Sequence, residues 1–206
     1  LLANKIIGTI GQLGVGKTMF GVIWLYDGFC KGLPCYSNLH VNFPHTALKS
    51  LEDLALKSCG KQFYEKTGKN ARRLLDELWK LSDNRRCQSL LNELTDIILL
   101  RSRKDHDDIY FTQQFLQIDP RIAYIVNEWV TPTIFPKTPT KYNPPEWLII
   151  ERCDNNFIPL PTIKINLKPY LNLYDSDENP YIISKMIDAE SIQKLLKKIK
   201  EKEEDN

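Results

Sequence analysis

At 206 residues, with 42% hydrophobic and 26% charged side chains, the chain has the size and composition of one well-buried globular domain over residues 1–206. A formal net charge of +2 is too small to argue for a nucleic-acid partner by itself. No run approaches the roughly 18 apolar residues of a membrane span and no signal-peptide pattern precedes the first apolar run, so an intracellular protein without an integral membrane segment is expected.

The apolar run Ile6–Ile10 predicts a first strand. Gly11-Gln12-Leu13-Gly14-Val15-Gly16-Lys17-Thr18 follows at once and fits G-x-x-x-x-G-K-[ST]. Met19 to Cys30 then has helical spacing, which completes the strand, loop and helix context the motif requires. Glycines at 11, 14 and 16 let the backbone curl until its N–H groups converge on a phosphate, with the positive end of the new helix aimed at the same point. Three of the nine glycines fall within these six residues, which argues for a purpose beyond an ordinary turn. In this reading Lys17 reaches the β- and γ-phosphates and the Thr18 hydroxyl ligates Mg²⁺.

Lys31-Gly32 closes the helix, and Leu33 to Phe43 is expected as a second strand ended by Pro44. Ser50 to Leu56 is a short helical segment. Lys57 to Asn70 is polar, contains Gly60 and Gly68, and reads as a surface excursion. Arg72-Arg73-Leu74-Leu75-Asp76-Glu77 predicts another strand, ending in two carboxylates. Beside a phosphate loop, such a pair supplies an Asp that holds Mg²⁺ through water and a Glu that polarises the attacking water.

Arg85 to Arg101 carries Leu90, Leu91, Leu94, Ile97 and Ile98 on one helical face and returns the chain for the strand 108–114. That strand ends in Gln113 and Gln114. A polar pair at a strand's carboxyl end belongs at the ligand edge of an open α/β sheet, where Gln113, or Gln114 if the register shifts, can bond a γ-phosphate or the catalytic water. A short helix is expected at 118–122, and a strand interrupted by Pro132 over 126–135. Residues 136–147 form a proline-rich loop, in which Lys137, Lys141 and Tyr142 could meet nucleic acid or be simply solvated. Trp147 to Cys153 and Thr162 to Leu167 predict an edge hairpin. Residues 188–202 predict a C-terminal helix, with Ile192, Leu195, Leu196 and Ile199 beneath many lysines, packing weakly and facing a partner.

Cysteines 30, 35, 59, 87 and 153 are odd in number and form no C-x-x-C pair, which speaks against a disulfide framework and a structural zinc site and leaves buried thiols as the expectation. His40, His45 and His106 lack a metal-ligand pattern and are expected in structural or surface roles.

Three pieces thus stand in order: Gly11 to Thr18, Leu74 to Glu77, and a strand ending in Thr112-Gln113. Over residues 4–175 this order resembles the additional-strand P-loop ATPases of the FtsK–HerA superfamily, in particular the genome-packaging ATPases of tailless icosahedral viruses with an internal membrane, archaeal viruses included. The resemblance implies an α/β, RecA/FtsK-like P-loop NTPase fold, with a central mainly parallel sheet flanked by helices. It also implies ATP and Mg²⁺ as cofactors, bound by residues 11–18 and Asp76, with Lys17, Glu77 and Gln113 as catalytic residues. An arginine finger acting on the neighbouring subunit's ATP would be Arg101 or Arg103, neither at the family's usual spacing. The implied partners are double-stranded DNA, further copies in a homo-oligomeric ring, a hexamer, and capsid or membrane vertex proteins. The implied setting is the host cytoplasm during virion assembly and a packaging vertex of the virion. A small nucleotide kinase is the main rival, though the arginine-rich lid such enzymes use is not evident. Conjugation or phage-export motors commonly carry a membrane anchor. A passive nucleotide-binding switch would not need the carboxylate pair.

Overall fold

A computed structural model of the chain describes residues 4–12, 14–77, 85–113, 124–137, 143–175 and 189–204. In chain order these form β1 (Ile6–Ile10), α1 (Lys17–Cys30), β2 (Cys35–Ser37), β3 (Thr46–Ala47), α2 (Leu51–Leu56), α3 (Gly60–Thr67), β4 (Ala71–Leu75), α4 (Arg85–Asp105), β5 (Asp107–Gln113), β6 (Glu128–Phe135), β7 (Trp147–Asp154), β8 (Pro159–Asn166) and α5 (Ala189–Glu204). Among the described residues the strands join one sheet in the order β3-β2-β4-β5-β1-β6-β7-β8. Pairing is parallel from β3 through β6 and antiparallel for β6, β7 and β8, so the expected edge hairpin is present.

The central strands are apolar on both faces because helices cover both. Ile7, Leu74 and Tyr110 face α1, where Met19, Phe20, Val22, Ile23 and Leu25 pack with the returning segment 167–174. Ile6, Leu75, Ile109 and Phe111 face the opposite layer, built from α2, α4 and α5. The helix α2 starts where Ser50 accepts a hydrogen bond from the Asp53 N–H at 3.0 Å, with Glu52 and Asp53 in its first turn.

Several expectations are corrected. The strand expected over 33–43 pairs only at Cys35–Ser37; Leu39, Val41 and Phe43 are buried, but by an irregular chain that packs on α1 rather than by a ladder. The polar excursion 57–70 contains α3. That helix begins at Gly60, where a Cβ would collide with the backbone of Asp105 and the carboxylate of Asp107, so the close approach requires glycine. Pro132 does not interrupt β6: it pairs with Ile150 of β7 and lies beyond Val130, the last residue of β6 paired with β1.

The C-terminal helix does not pack weakly. Ile192, Leu195, Leu196 and Ile199 are all buried in the α2–α4–α5 layer, and Lys198 pairs with Glu52. Nor are the thiols uniformly buried, since Cys30 and Cys59 are exposed and Cys153 is half-buried. The side chain of Cys87, the helix expected at 118–122, and Lys141 and Tyr142 lie outside the described residues. No described helix is long and apolar enough to cross a membrane.

Candidate functional site

The glycine loop leaves the carboxyl end of β1 and enters α1. Gly14 (φ 76) and Gly16 (φ 98) both take left-handed backbone, which side chains with a Cβ adopt only with strain. Gly16 is further restricted, because a Cβ would come within 2.7 Å of Leu148 and 2.8 Å of Ile134. The loop's backbone path is therefore set by its glycines. Leu13 lies outside the described residues.

Lys17, the first residue of α1, is 7% exposed. Its Nζ donates to the carbonyls of Gly11 (3.0 Å) and Gln12 (2.7 Å), so the ammonium folds back onto the loop that precedes it. Beneath it the Tyr110 hydroxyl donates to the Lys17 carbonyl at 2.8 Å, which pins the first turn of α1 to β5.

Thr18 connects this loop to the carboxylates. Its hydroxyl stands 3.0 Å from Oδ1 and 3.2 Å from Oδ2 of Asp76, the residue after β4. Asp76 is 4% exposed, and its pKa is pushed up to about 6, chiefly by burial. The neighbouring charge of Glu77 adds to the rise, while hydrogen bonds from Thr112 and Thr18 and the charge of Lys17 oppose it. Glu77 follows with φ 49, an uncommon backbone for a residue with a side chain and one that tends to occur at functional sites.

Two side chains not assigned from sequence complete the arrangement. Asn38, just past β2, donates Nδ2 to the Asp76 carbonyl (2.8 Å) and accepts from the Asp76 N–H (2.7 Å). Thr112 donates to Asp76 Oδ1 (2.9 Å) and accepts from the Glu77 N–H (2.8 Å). No sequence signal marked Asn38, because it fell inside the strand expected over 33–43, which ends at Ser37. For Thr112 the signal was its position beside Gln113.

The sheet order brings these pieces together. β5 lies between β1 and β4, with Ile10 opposite Gln113 and Leu75 opposite Phe111. The backbone of Gln113 therefore ends beside the start of the loop; its side chain, and the whole of Gln114, lie outside the described residues. Arg101 and Arg103 are not brought to this end. Both sit in the last turns of α4, before the seven-residue β5, and so are separated from the loop of their own chain by about 20 Å of strand. Arg101 is half-buried and lies 3.9 Å from Asp105, whereas Arg103 is exposed.

Chemically, an ammonium, a hydroxyl and a buried carboxylate converge at the entry to a helix. The oxygens of Thr18 and Asp76 are hard donors of the kind Mg²⁺ prefers, and that ion keeps several waters and needs few protein ligands.

No family model matches the chain, and no curated protein is similar to it in sequence. Among solved structures it resembles the N-terminal domain of zonular occludens toxin from Neisseria meningitidis, at 15% identity and a TM-score of 0.50, over 84% of this chain and 100% of that one. It is also similar to a genome-packaging NTPase from Sulfolobus turreted icosahedral virus 2 in complex with AMPPCP, at 11% identity and a TM-score of 0.45, over 78% of this chain and 96% of that one. At 15% identity the likeness to the toxin domain is one of fold alone: a mixed α/β arrangement with a multistranded sheet flanked by helices.

Proposed function

We propose that the chain is a Mg²⁺-dependent P-loop ATPase whose turnover drives double-stranded DNA into a preformed viral capsid. The observation that carries the ATPase reading is the contact of Thr18 with Asp76, which joins the exit of the glycine loop to a buried carboxylate across the strand order β4-β5-β1. Bound Mg²⁺ would supply charge neutralisation at the β- and γ-phosphates. The loop N–H groups of residues 11–16 bind the phosphates, and Lys17 leaves its loop carbonyls to contact them. Thr18 and Asp76 are the residues that would hold the metal. Glu77 takes the proton of the attacking water, and Gln113 orients that water or the γ-phosphate.

The motor part of the reading rests on the order of the three motifs, which resembles the packaging ATPases. Arg101 and Arg103, remote from their own loop, suit an action on the nucleotide of a neighbouring copy, and that action implies a closed ring, a hexamer in this reading. Of the two, the exposed Arg103 is the better placed to reach a neighbour.

A steady-state ATPase titration with long duplex DNA at several salt concentrations, beside a panel of nucleoside monophosphates, tests this. Stimulation by DNA that is independent of base sequence and falls as salt rises is the expected result. Stoichiometric phosphoryl transfer to a monophosphate, with no response to DNA, would replace the motor with a kinase.

A further inference from the structure

The geometry points to Thr112 as the residue that positions the Asp76 carboxylate and the Glu77 main chain at the candidate site, an assignment that rests on the ATPase reading above. Thr112 is 1% exposed and precedes Gln113 on β5. A hydroxyl has one proton to give and lone pairs to receive with. Here both are used without conflict: the proton goes to Asp76 Oδ1 at 2.9 Å, and a lone pair receives the Glu77 N–H at 2.8 Å.

The division of labour around Asp76 makes this contact distinctive. Asn38 already grips the main chain of Asp76 through both its N–H and its carbonyl, so the path of the backbone does not depend on Thr112. What depends on Thr112 is the direction of the Asp76 carboxylate and the peptide N–H of Glu77, whose left-handed φ of 49 needs an outside hold. Thr18 also bonds Asp76, but its hydroxyl has a second task once a ligand occupies the loop. Thr112 is the donor that stays, since β5 is laddered to β1 on one side and to β4 on the other. A displacement of the Gln113 end of β5 is therefore passed, one residue away, to both carboxylate-bearing residues. Thr112 acts through Asp76 and Glu77 and is a positioning residue.

Thr112→Val keeps the shape and removes the hydroxyl, and Thr112→Ser keeps the hydroxyl. In nucleotide-free protein, T112V should speed amide exchange at Glu77 by about tenfold or more, because the N–H loses its acceptor. In nucleotide-binding and ATPase titrations, T112V should raise the Mg²⁺ half-saturation and lower kcat, each by about 10- to 100-fold, as removal of a hydrogen bond behind a metal ligand does. Nucleotide binding without Mg²⁺ should stay near wild type, the thermal midpoint should fall because a buried carboxylate and a peptide N–H each lose a partner, and T112S should restore every titrated quantity to within about threefold. If T112V does not fold, T112A measured against T112S is judged by the same criteria. A valine variant with wild-type Glu77 exchange and Mg²⁺ dependence overturns the assignment alone. So does a serine variant as impaired as the valine, which would mean that packing of the methyl is what matters. Wild-type protein that binds no nucleotide with Mg²⁺ overturns the ATPase reading, and this assignment with it.

Discussion

The Arg73 guanidinium and the Asp107 carboxylate meet at 2.6 Å, with side-chain exposures of 4% and 0%, at the end of the sheet away from the glycine loop. Arg73 also donates to the carbonyls of Leu54 (2.7 Å) and Lys57 (2.9 Å), and Ser58 donates to Asp107 at 2.9 Å. One ion pair thus ties β4 and β5 to the end of α2. Removing one partner leaves a charge sealed in the interior, so Arg73→Ala should cost about 3–5 kcal/mol in denaturant unfolding. Burial already raises the pKa of Asp107, and the variant's loss should lessen at acid pH as that carboxyl takes up a proton. Replacing both partners by apolar residues of matching volume should cost less than the single change.

Lys17→Ala and Glu77→Gln should separate binding from chemistry. K17A loses the ammonium at the loop and should show little nucleotide binding with a near-native circular dichroism spectrum. E77Q should still bind ATP with Mg²⁺ but hydrolyse it about 10²–10⁴-fold more slowly, since an amide cannot take the proton. Loss of binding in E77Q equal to its loss of turnover would make Glu77 a metal or folding residue.

Mixing tests the arginines. Arg103→Ala and Lys17→Ala subunits, each inactive alone, should regain part of the wild-type turnover when combined, because some shared sites receive an intact loop from one copy and an intact arginine from the next. The same mixture made with Arg101→Ala asks whether the half-buried partner of Asp105 serves instead. No recovery in either mixture removes the inter-subunit role.

Ile199 is fully buried between α5 and its neighbours. Ile199→Ala should therefore destabilise the protein by about 2–5 kcal/mol, the usual cost of a large-to-small change in a core. A helix that docked only on a partner would show no loss in the isolated chain.

Glu128 gives the fold an acid-sensitive contact. Burial opposes its charge, but Arg152 and Lys5 outweigh burial, and the pKa lies below its ordinary value of 4.5. A carboxyl lowered in the folded state contributes stability that is fully present above its unfolded pKa and is lost as pH falls through the folded one. Glu128→Gln should thus cost about 1.5–3 kcal/mol at neutral pH, with the difference from wild type closing at strongly acid pH.

What the sequence disclosed was local. Gly14, Gly16, Lys17 and Thr18 lie within five positions, and their conformational needs leave a pattern that can be read directly. The partners of Arg73 and Asp76 do not: Asp107 is 34 positions from Arg73, and Asn38 is 38 positions from Asp76. Arg72 and Arg73 fall inside the strand expected before Asp76, and nothing nearby in sequence shows that Arg72 reaches the Trp24 carbonyl and Asp27, or that Arg73 reaches Asp107. Likewise the lysines of α5 look like a solvated helix until the opposite face is seen to fill the space between α2 and α4. The run 33–43 misled in the other direction, since its apolar side chains report burial, and burial does not require a ladder.

The place of β5 between β1 and β4 also sets an order of events during synthesis. Ile6 emerges early, yet its neighbour Ile109 and the rest of β5 are made only after both flanking strands. Until then β1 and β4 each present an unpaired edge rich in Ile and Leu, a template for joining another chain. Contacts so distant along the chain also form slowly. Fragments that stop before Asp107 should therefore accumulate as aggregates, and those that include Gln113 should aggregate less, with the β1 edge that meets β6 still open.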